Sequence, residues 1–438
     1  MQGETTVLDR SDIQGFVLRG YRMPHAAYLF YRFTDVPAAR AWLAGMADPV
    51  TTAEEWDAAP SWCANVALAH PGLEALGLPT ESLESFPADF REGMAARAAE
   101  HLGDVGDDLP DNWEPEPPFA TRGVHAMLML SAHDEGELDQ RVQAFRERAG
   151  AGLEEVGCEG AAALGGAHAE REHFSFRDGI SQPVLRGSGL EKDAPPGRPP
   201  VKPGEFLLGH PDEQDAVCQL HPAILGHNGT YAVYRKLSQD VPAFRRFLHE
   251  QGRGDPGLLA AKLMGRWPSG APLARADRAD DPVLASCAKH NNAFDYADDR
   301  LGYRCPRGAH VRRAHPRNGL PSERRHLLIR RGLPYGPELG DGAPDDGADR
   351  GLVGVFLNAS IERQYEFVQR EWINAPRFDD LENDPDPISG PGGGNFTWQG
   401  RPPRRLKGLP RFVTVRGGEY FFVPSITALR FLGDTSAP

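Results

Sequence analysis

The chain has 438 residues, enough to bury a large core in two or three ordinary domains. Hydrophobic residues at 40% and charged residues at 25% are the proportions of a globular protein in water. A formal charge of −14 argues against nucleic acid or an anionic membrane surface as a partner, since both select basic faces, while leaving neutral and cationic organic substrates open.

Taken in order, the start from Met1 to Asp9 has no basic segment followed by an apolar run, so no signal peptide is expected. No apolar stretch approaches the roughly 20 residues that cross a bilayer. Tyr28-Leu-Phe-Tyr-Arg-Phe33 reads as a strand, and Asp35 with Pro37 then opens a helix running through Leu43, with Asp as N-cap and Pro in the first turn. Val124 to Leu130 is a buried-strand candidate. Asp134 follows as a cap with Glu137 reaching back, and Leu138, Val142 and Phe145 share one helical face. The first unit then recurs: Tyr231-x-x-Tyr234-Arg235 and Asp240-Val-Pro-Ala-x-Arg245-x-Phe-Leu248 repeat Tyr28-x-x-Tyr31-Arg32 and Asp35-Val-Pro-Ala-x-Arg40-x-Trp-Leu43. Leu352 to Leu357 predicts the partner strand of this second copy, followed by Ser360 and a helix with Ile361, Tyr365, Val368 and Trp372 on one side. Near the end, Gly417-Gly418 predicts a tight turn between strands Arg411–Arg416 and Glu419–Val423. Paired strand-helix units point to α+β modules with helices on one face of an antiparallel sheet.

Four Gly/Pro/Asp-rich stretches read as ordered surface connections: 103–118, 187–204, 334–350 and 384–405. The second is the expected module boundary, which divides the chain into 1–200 and 201–438. Five cysteines, Cys63, Cys158, Cys218, Cys287 and Cys305, are odd in number and widely spaced, which predicts a reducing cytoplasm rather than a disulfide scaffold. No Walker loop, G-x-S-x-G elbow or dinucleotide fingerprint is present. His168-Ala-Glu-Arg-Glu-His173 lacks HExxH spacing and reads as an exposed edge rather than a metal site.

The segment Cys305-Pro-Arg-Gly-Ala-His310-Val-Arg312-Arg-Ala-His315-Pro-Arg317 concentrates two imidazoles among four arginines. A neutral imidazole is a good iron ligand, the small Gly308 and Ala309 would let a flat cofactor approach, and arginines hold carboxylates in forked hydrogen bonds. This segment resembles the proximal-ligand motif of the dye-decolorizing peroxidases, a family of haem b enzymes, with His310 at the ligand position. His173-Phe-Ser-Phe-Arg177-Asp178-Gly179-Ile-Ser-Gln182-Pro183 resembles the G-x-x-D-G region of the same family, with Ser175 where its first Gly would stand. Leu328-Ile-Arg330-Arg-Gly-Leu-Pro334-Tyr-Gly-Pro-Glu338 resembles the segment carrying its distal arginine, the spacing to Pro334 favouring Arg330 over Arg331, with Gly332 where some relatives have Asn or Ser.

The resemblance implies two tandem ferredoxin-like modules of the dimeric α+β barrel type, binding one haem b per chain. It implies His310 as axial ligand, Asp178 as proton carrier, and Arg330 as the cation that stabilises bound peroxide. Gly179 and Arg312 would be further cofactor contacts, Arg312 to a propionate, and Asp386 would be the carboxylate behind His310, chosen over Asp380 and Asp384. The expected activity is hydrogen-peroxide-dependent oxidation of bulky dyes, phenols or Mn(II) by one-electron steps, in a monomer or dimer. The alternative is a haem carrier or iron-releasing protein. Tyr303, Tyr335, Trp372 and Trp398 are candidate electron relays, none singled out.

Overall fold

The computed structural model describes residues 7–317, 319 and 321–434. The first six residues of the stretch read for a signal peptide lie outside these. Its strands are β1 (His25–Phe33), β2 (Trp62–Leu68), β3 (Ala126–Ala132), β4 (Leu153–Ala162), β5 (Thr230–Gln239), β6 (Ile329–Arg330), β7 (Leu333–Tyr335), β8 (Gly351–Asn358), β9 (Asn395–Trp398), β10 (Arg404–Lys407) and β11 (Val413–Val423).

The repeated text folds as repeated structure. Asp35 accepts a hydrogen bond from the Ala38 amide at 2.8 Å and caps the helix Val36–Met46. Asp240 does the same from the Ala243 amide, also at 2.8 Å, for the helix Val241–Gln251. A carboxylate at this position satisfies an amide the helix cannot pair internally, which is why strand and helix part at Asp in both copies. The strands of the first copy pair in the order β4-β1-β3-β2 and those of the second in the order β11-β5-β8-β6, with β7 also on β8. Numbered within its own half, each is the antiparallel order of a ferredoxin-like unit.

The halves join where Phe422 on β11 faces Leu68 on β2, giving a nine-stranded sheet that curls until β4 and β7 approach. Aromatic residues fill the inside of the curl: the Tyr234 ring lies 5.1 Å from Phe30 and 5.8 Å from Tyr28. Burial of a Phe such as Phe30 stabilises by about 1.5–3 kcal/mol. Lys236 reaches across from β5 to Glu159 on β4 and to Glu114, each at 2.8 Å. The helix Glu135–Ala149, capped by Asp134, buries Leu138, Val142 and Phe145. No helix among the described residues is long and apolar enough to cross a membrane.

Three local expectations change. Gly417 and Gly418 do not turn; β11 runs through them with a bulge against β5. A Cβ on Gly418 would overlap the Met94 sulfur and one on Gly417 would come 2.9 Å from Phe119, so glycine here admits neighbours. The segment after Ser360 is wound as π-helix, Glu362–Glu366 and Val368–Asn374. The wider i→i+5 winding carries Trp372 off the face of Ile361 and leaves it half-buried. His173 is buried, its Nε2 2.8 Å from the Tyr335 carbonyl oxygen, so the edge expected over His168–His173 is exposed only at Ala169 and Glu170 and turns inward at Glu172. No group of three or more His, Cys, Asp or Glu suited to a metal ion occurs among the described residues.

Candidate active site

A cavity of about 830 Å³ lies on the face of β5, β8 and β11 turned away from Tyr234 and Lys236. Leu237, Leu352, Phe356 and Val413 floor it, and the short helix His310–Ala314 stands opposite, contributing His310, Val311 and Ala314. Asp178 and Arg330 line the same space, so the three sequence motifs, far apart in the chain, converge on one cavity.

His310 is the first residue of its helix. Its Nδ1 lies 2.9 Å from Oδ2 of Asp386, whose side chain is wholly buried. The other carboxylate oxygen of Asp386 accepts from the Ile388 amide at 2.9 Å and the Ser389 amide at 2.8 Å. Burial would push Asp386 up, but the imidazole beside it, the Arg313 guanidinium and the Ser389 amide hold it below the usual carboxylate range. Burial likewise acts to lower His310, and the Asp386 carboxylate outweighs it and leaves the imidazole raised. An acceptor-only carboxylate fixes the ring proton on Nδ1, which leaves the Nε2 lone pair available to a metal. Of the nearby carboxylates, Asp380 pairs with Arg307 at 3.3 Å and Asp384 lies 3.7 Å from Arg405; Asp386 is the one that meets His310.

Asp178 leaves the loop between β4 and β5 with its Oδ1 accepting from the Gly179 amide at 2.6 Å. Arg330 ends β6, its amide donating to Gln182 Oε1 at 2.9 Å. The Arg330 guanidinium is 3.7 Å from Asp178 Oδ1, and the two side chains are 41% and 48% exposed, so both remain open to the cavity. Arg331 points elsewhere, donating to the Phe16 carbonyl at 2.7 Å.

Arg312 and the small residues before His310 are placed differently from expectation. Arg312 does not line the cavity; it is buried against the carbonyls of Asp299 at 3.0 Å and Cys305 at 2.9 Å and stacks 4.3 Å over Tyr296. Residues two apart on a helix do not share a face, so Arg312 turns away from the side His310 presents. Gly308 is small for packing, since a Cβ would lie 3.2 Å from Leu381, and Ala309 is buried beside Cys305. Gly179, at φ 73°, shapes the turn after Asp178 and does not line the cavity.

The cationic end of the cavity is instead built from Arg198, Arg266 and Arg317. Burial holds all three guanidiniums below their ordinary range, and neighbouring arginines add to this for Arg266 and Arg317. Arg317 donates to the Asn292 carbonyl at 3.0 Å and stacks 4.0 Å over Phe294, yet its Nε, like that of Arg198, is buried without a partner. Buried cations with orphaned donors suit a ligand that brings carboxylates. His315 sits among them, its Nε2 2.6 Å from Glu323 Oε1, and burial outweighs that carboxylate and pushes it down to about 4. Arg317 had a sequence signal, the Pro-Arg that closes the His310 motif; Arg198 had none, lying in the proline-rich connection 187–204.

The arrangement combines an imidazole whose Nδ1 is engaged by a carboxylate, a carboxyl and guanidinium in the same cavity, and a cluster of arginines lining it. Comparison with known proteins fits this geometry. Residues 12–163 match the family described as the DyP dimeric alpha+beta barrel domain. The chain is 33% identical to a dye-decolorizing peroxidase of Mycena epipterygia over 96% of its own length and 86% of that protein. It is 30% identical to a multifunctional dye peroxidase of an Amycolatopsis species, over 98% and 96%. A solved dye-decolorizing peroxidase in complex with 2,6-dimethoxyphenol superposes with a TM-score of 0.86 at 30% identity, covering 98% of this chain and all of that one.

Proposed function

The chain belongs to the dye-decolorizing peroxidase family and is a haem-dependent peroxidase, and from this we propose that it binds one haem b in the cavity between His310 and the Asp178–Arg330 pair. The reading assigns it hydrogen peroxide as oxidant and dyes, phenols such as 2,6-dimethoxyphenol, or Mn(II) as one-electron donors. The observation that carries it is the single cavity shared by His310, Asp178, Arg330 and the buried guanidiniums. Its volume of about 830 Å³ is at the upper end for small-molecule and cofactor sites, as a macrocycle requires.

When bound, the haem supplies an iron that takes up peroxide and passes oxidising equivalents to donors. His310 would hold that iron through Nε2, and the Asp386 carboxylate keeps the ring in the right tautomer and makes it more electron-rich. Arg198 and Arg317 would receive the propionates. Asp178 takes the proton from one peroxide oxygen and returns it to the other, which leaves as water. Arg330 offsets the negative charge that develops as the O–O bond breaks. In this reading residues 1–200 form the module that supplies Asp178, and residues 201–438 the module that supplies His310 and Arg330. Five free cysteines, two of them exposed, support a cytoplasmic setting.

A haem carrier needs the ligand but not an acid–base pair opposite it, so the Asp178–Arg330 arrangement favours the enzyme. The test is the absorption spectrum of the purified protein before and after stoichiometric peroxide, with Asp178→Asn beside it. A haem spectrum that responds to peroxide in the wild type and far more slowly in the variant is expected. A colourless protein after haem is supplied, or equal rates in both, overturns the reading.

A further inference from the structure

The turn from Glu170 to Asp178 delivers the proton-handling carboxyl to the cavity, and backbone and side chains both close it. Arg171 and Arg177 form an antiparallel bridge, the Glu172 amide donates to the Phe176 carbonyl, and the Asp178 amide donates to the Glu170 carbonyl, each at 3.0 Å. At the apex Ser175 sits at φ 75°, a left-handed conformation that favours glycine and costs a serine strain. Besides the Ser175 amide on the Glu172 carbonyl at 2.8 Å and the Arg177–Glu170 pair at 2.8 Å, a buried group braces this turn from within.

The side chain of Glu172 does so. Its Oε1 accepts from the Phe176 amide at 2.9 Å, and its Oε2 accepts from the Phe174 amide at 2.9 Å and from Gln239 Nε2 at 2.6 Å. Gln239 ends β5 and lines the cavity. Its Oε1 is buried without a partner, so the amide is oriented by what it gives to Glu172 rather than by what it receives. Burial raises Glu172 to about 6, against the pull of these three donors, a set that an ionised carboxylate accepts in full.

We propose that Glu172 is a positioning residue for Asp178: its buried carboxylate closes the turn and, through Gln239, fastens it to the half-sheet that carries Arg330. Carboxyl and guanidinium, drawn from the two halves of the chain, thereby keep one relative placement. The inference rests on the reading of Asp178 as the proton carrier.

Glu172→Gln in the haem-loaded enzyme retains one acceptor oxygen and loses the other. The second-order rate constant with hydrogen peroxide is expected to fall at least tenfold, while the Soret position and the donor-limited rate at saturating peroxide change less than twofold. Adding Glu172→Gln to Asp178→Asn is expected to cost nothing further, because the effect runs through Asp178. Gln239→Leu leaves both amide bonds in place and cuts only the tie to β5; a loss of at least threefold is expected, and this variant carries the test if Glu172→Gln fails to fold. A peroxide rate within twofold of wild type in Glu172→Gln or in Gln239→Leu, or equal losses with and without Asp178, overturns the proposal. If Asp178→Asn is slow while Glu172→Gln is normal, only this inference fails; if Asp178→Asn itself reacts at the wild-type rate, the reading beneath it fails first.

Discussion

Asp386 Oδ2 lies 2.9 Å from His310 Nδ1, and the backbone amides of Ile388 and Ser389 hold the opposite oxygen of the same carboxylate. The imidazole is thus backed by a full negative charge that cannot rotate away.

Asp386→Asn keeps a hydrogen-bond acceptor behind His310 but removes that charge. The ligand becomes less electron-rich, so the Fe(III)/Fe(II) midpoint potential should rise and peroxide turnover should fall by about 10–100-fold, the usual cost of losing a metal ligand's supporting partner. Redox titration and steady-state kinetics check this; an unchanged potential would be the contrary result.

Arg317 and Arg312, five residues apart, should respond in different measurements. Arg317→Leu removes a charged donor from the cavity's basic end, and haem affinity should fall about 10–100-fold, as expected for one charge-assisted hydrogen bond. Arg312→Leu strips the Asp299 and Cys305 carbonyls of their donor away from the cavity. Its cost, about 3 kcal/mol, should appear as a lower melting temperature of the apoprotein. Haem titration and thermal denaturation of both variants separate the two roles.

Glu419 on β11 is buried, and burial raises it to about 7 although the Tyr420 and Met94 amides pull the other way. A carboxyl with a raised folded-state pKa binds its proton more tightly in the native state, so stability is fullest in acid. It declines as pH climbs from about 4.5 to about 7 and then levels. Glu419→Gln lacks this decline. Its unfolding free energy should match wild type near pH 4.5 and exceed it above pH 7 by on the order of 3 kcal/mol, read as a higher melting temperature. Parallel melting curves across that range would contradict the assignment.

Gly332, two residues after Arg330, offers no side-chain donor. A Cβ there would overlap the Val353 carbonyl oxygen on β8, so Gly332→Ser should destabilise by about 1–3 kcal/mol, read by chemical denaturation. The donor cannot be added without moving the strand pair that aims Arg330.

How much of this was readable beforehand divides by the range of the forces involved. Asp35 and Asp240 announce helix starts because capping is settled within three residues, and the duplicated text around them foretold two like half-sheets. His310, Asp178 and Arg330 stood out through their flanking motifs. Arg312 lies only two residues beyond His310, and adjacency does not say which way a helical side chain turns. Gly417 and Gly418 looked like a turn because glycine marks both turns and close approaches, and only the distant Met94 and Phe119 distinguish them. Glu172 carried no signal, since its partners are backbone amides and a glutamine from another strand.

The curled sheet also bears on how the protein behaves when crowded. One lateral boundary ends in strands of only two and three residues, Ile329–Arg330 and Leu333–Tyr335, and the other, Leu153–Ala162, carries Glu154, Glu155 and Glu159. Short or charged boundary strands offer poor templates to a neighbouring chain, and here the two boundaries face each other. A polypeptide built from so much antiparallel pairing is thereby guarded against joining its copies into fibrils, and the same closure leaves the opposite surface free to be hollowed for chemistry.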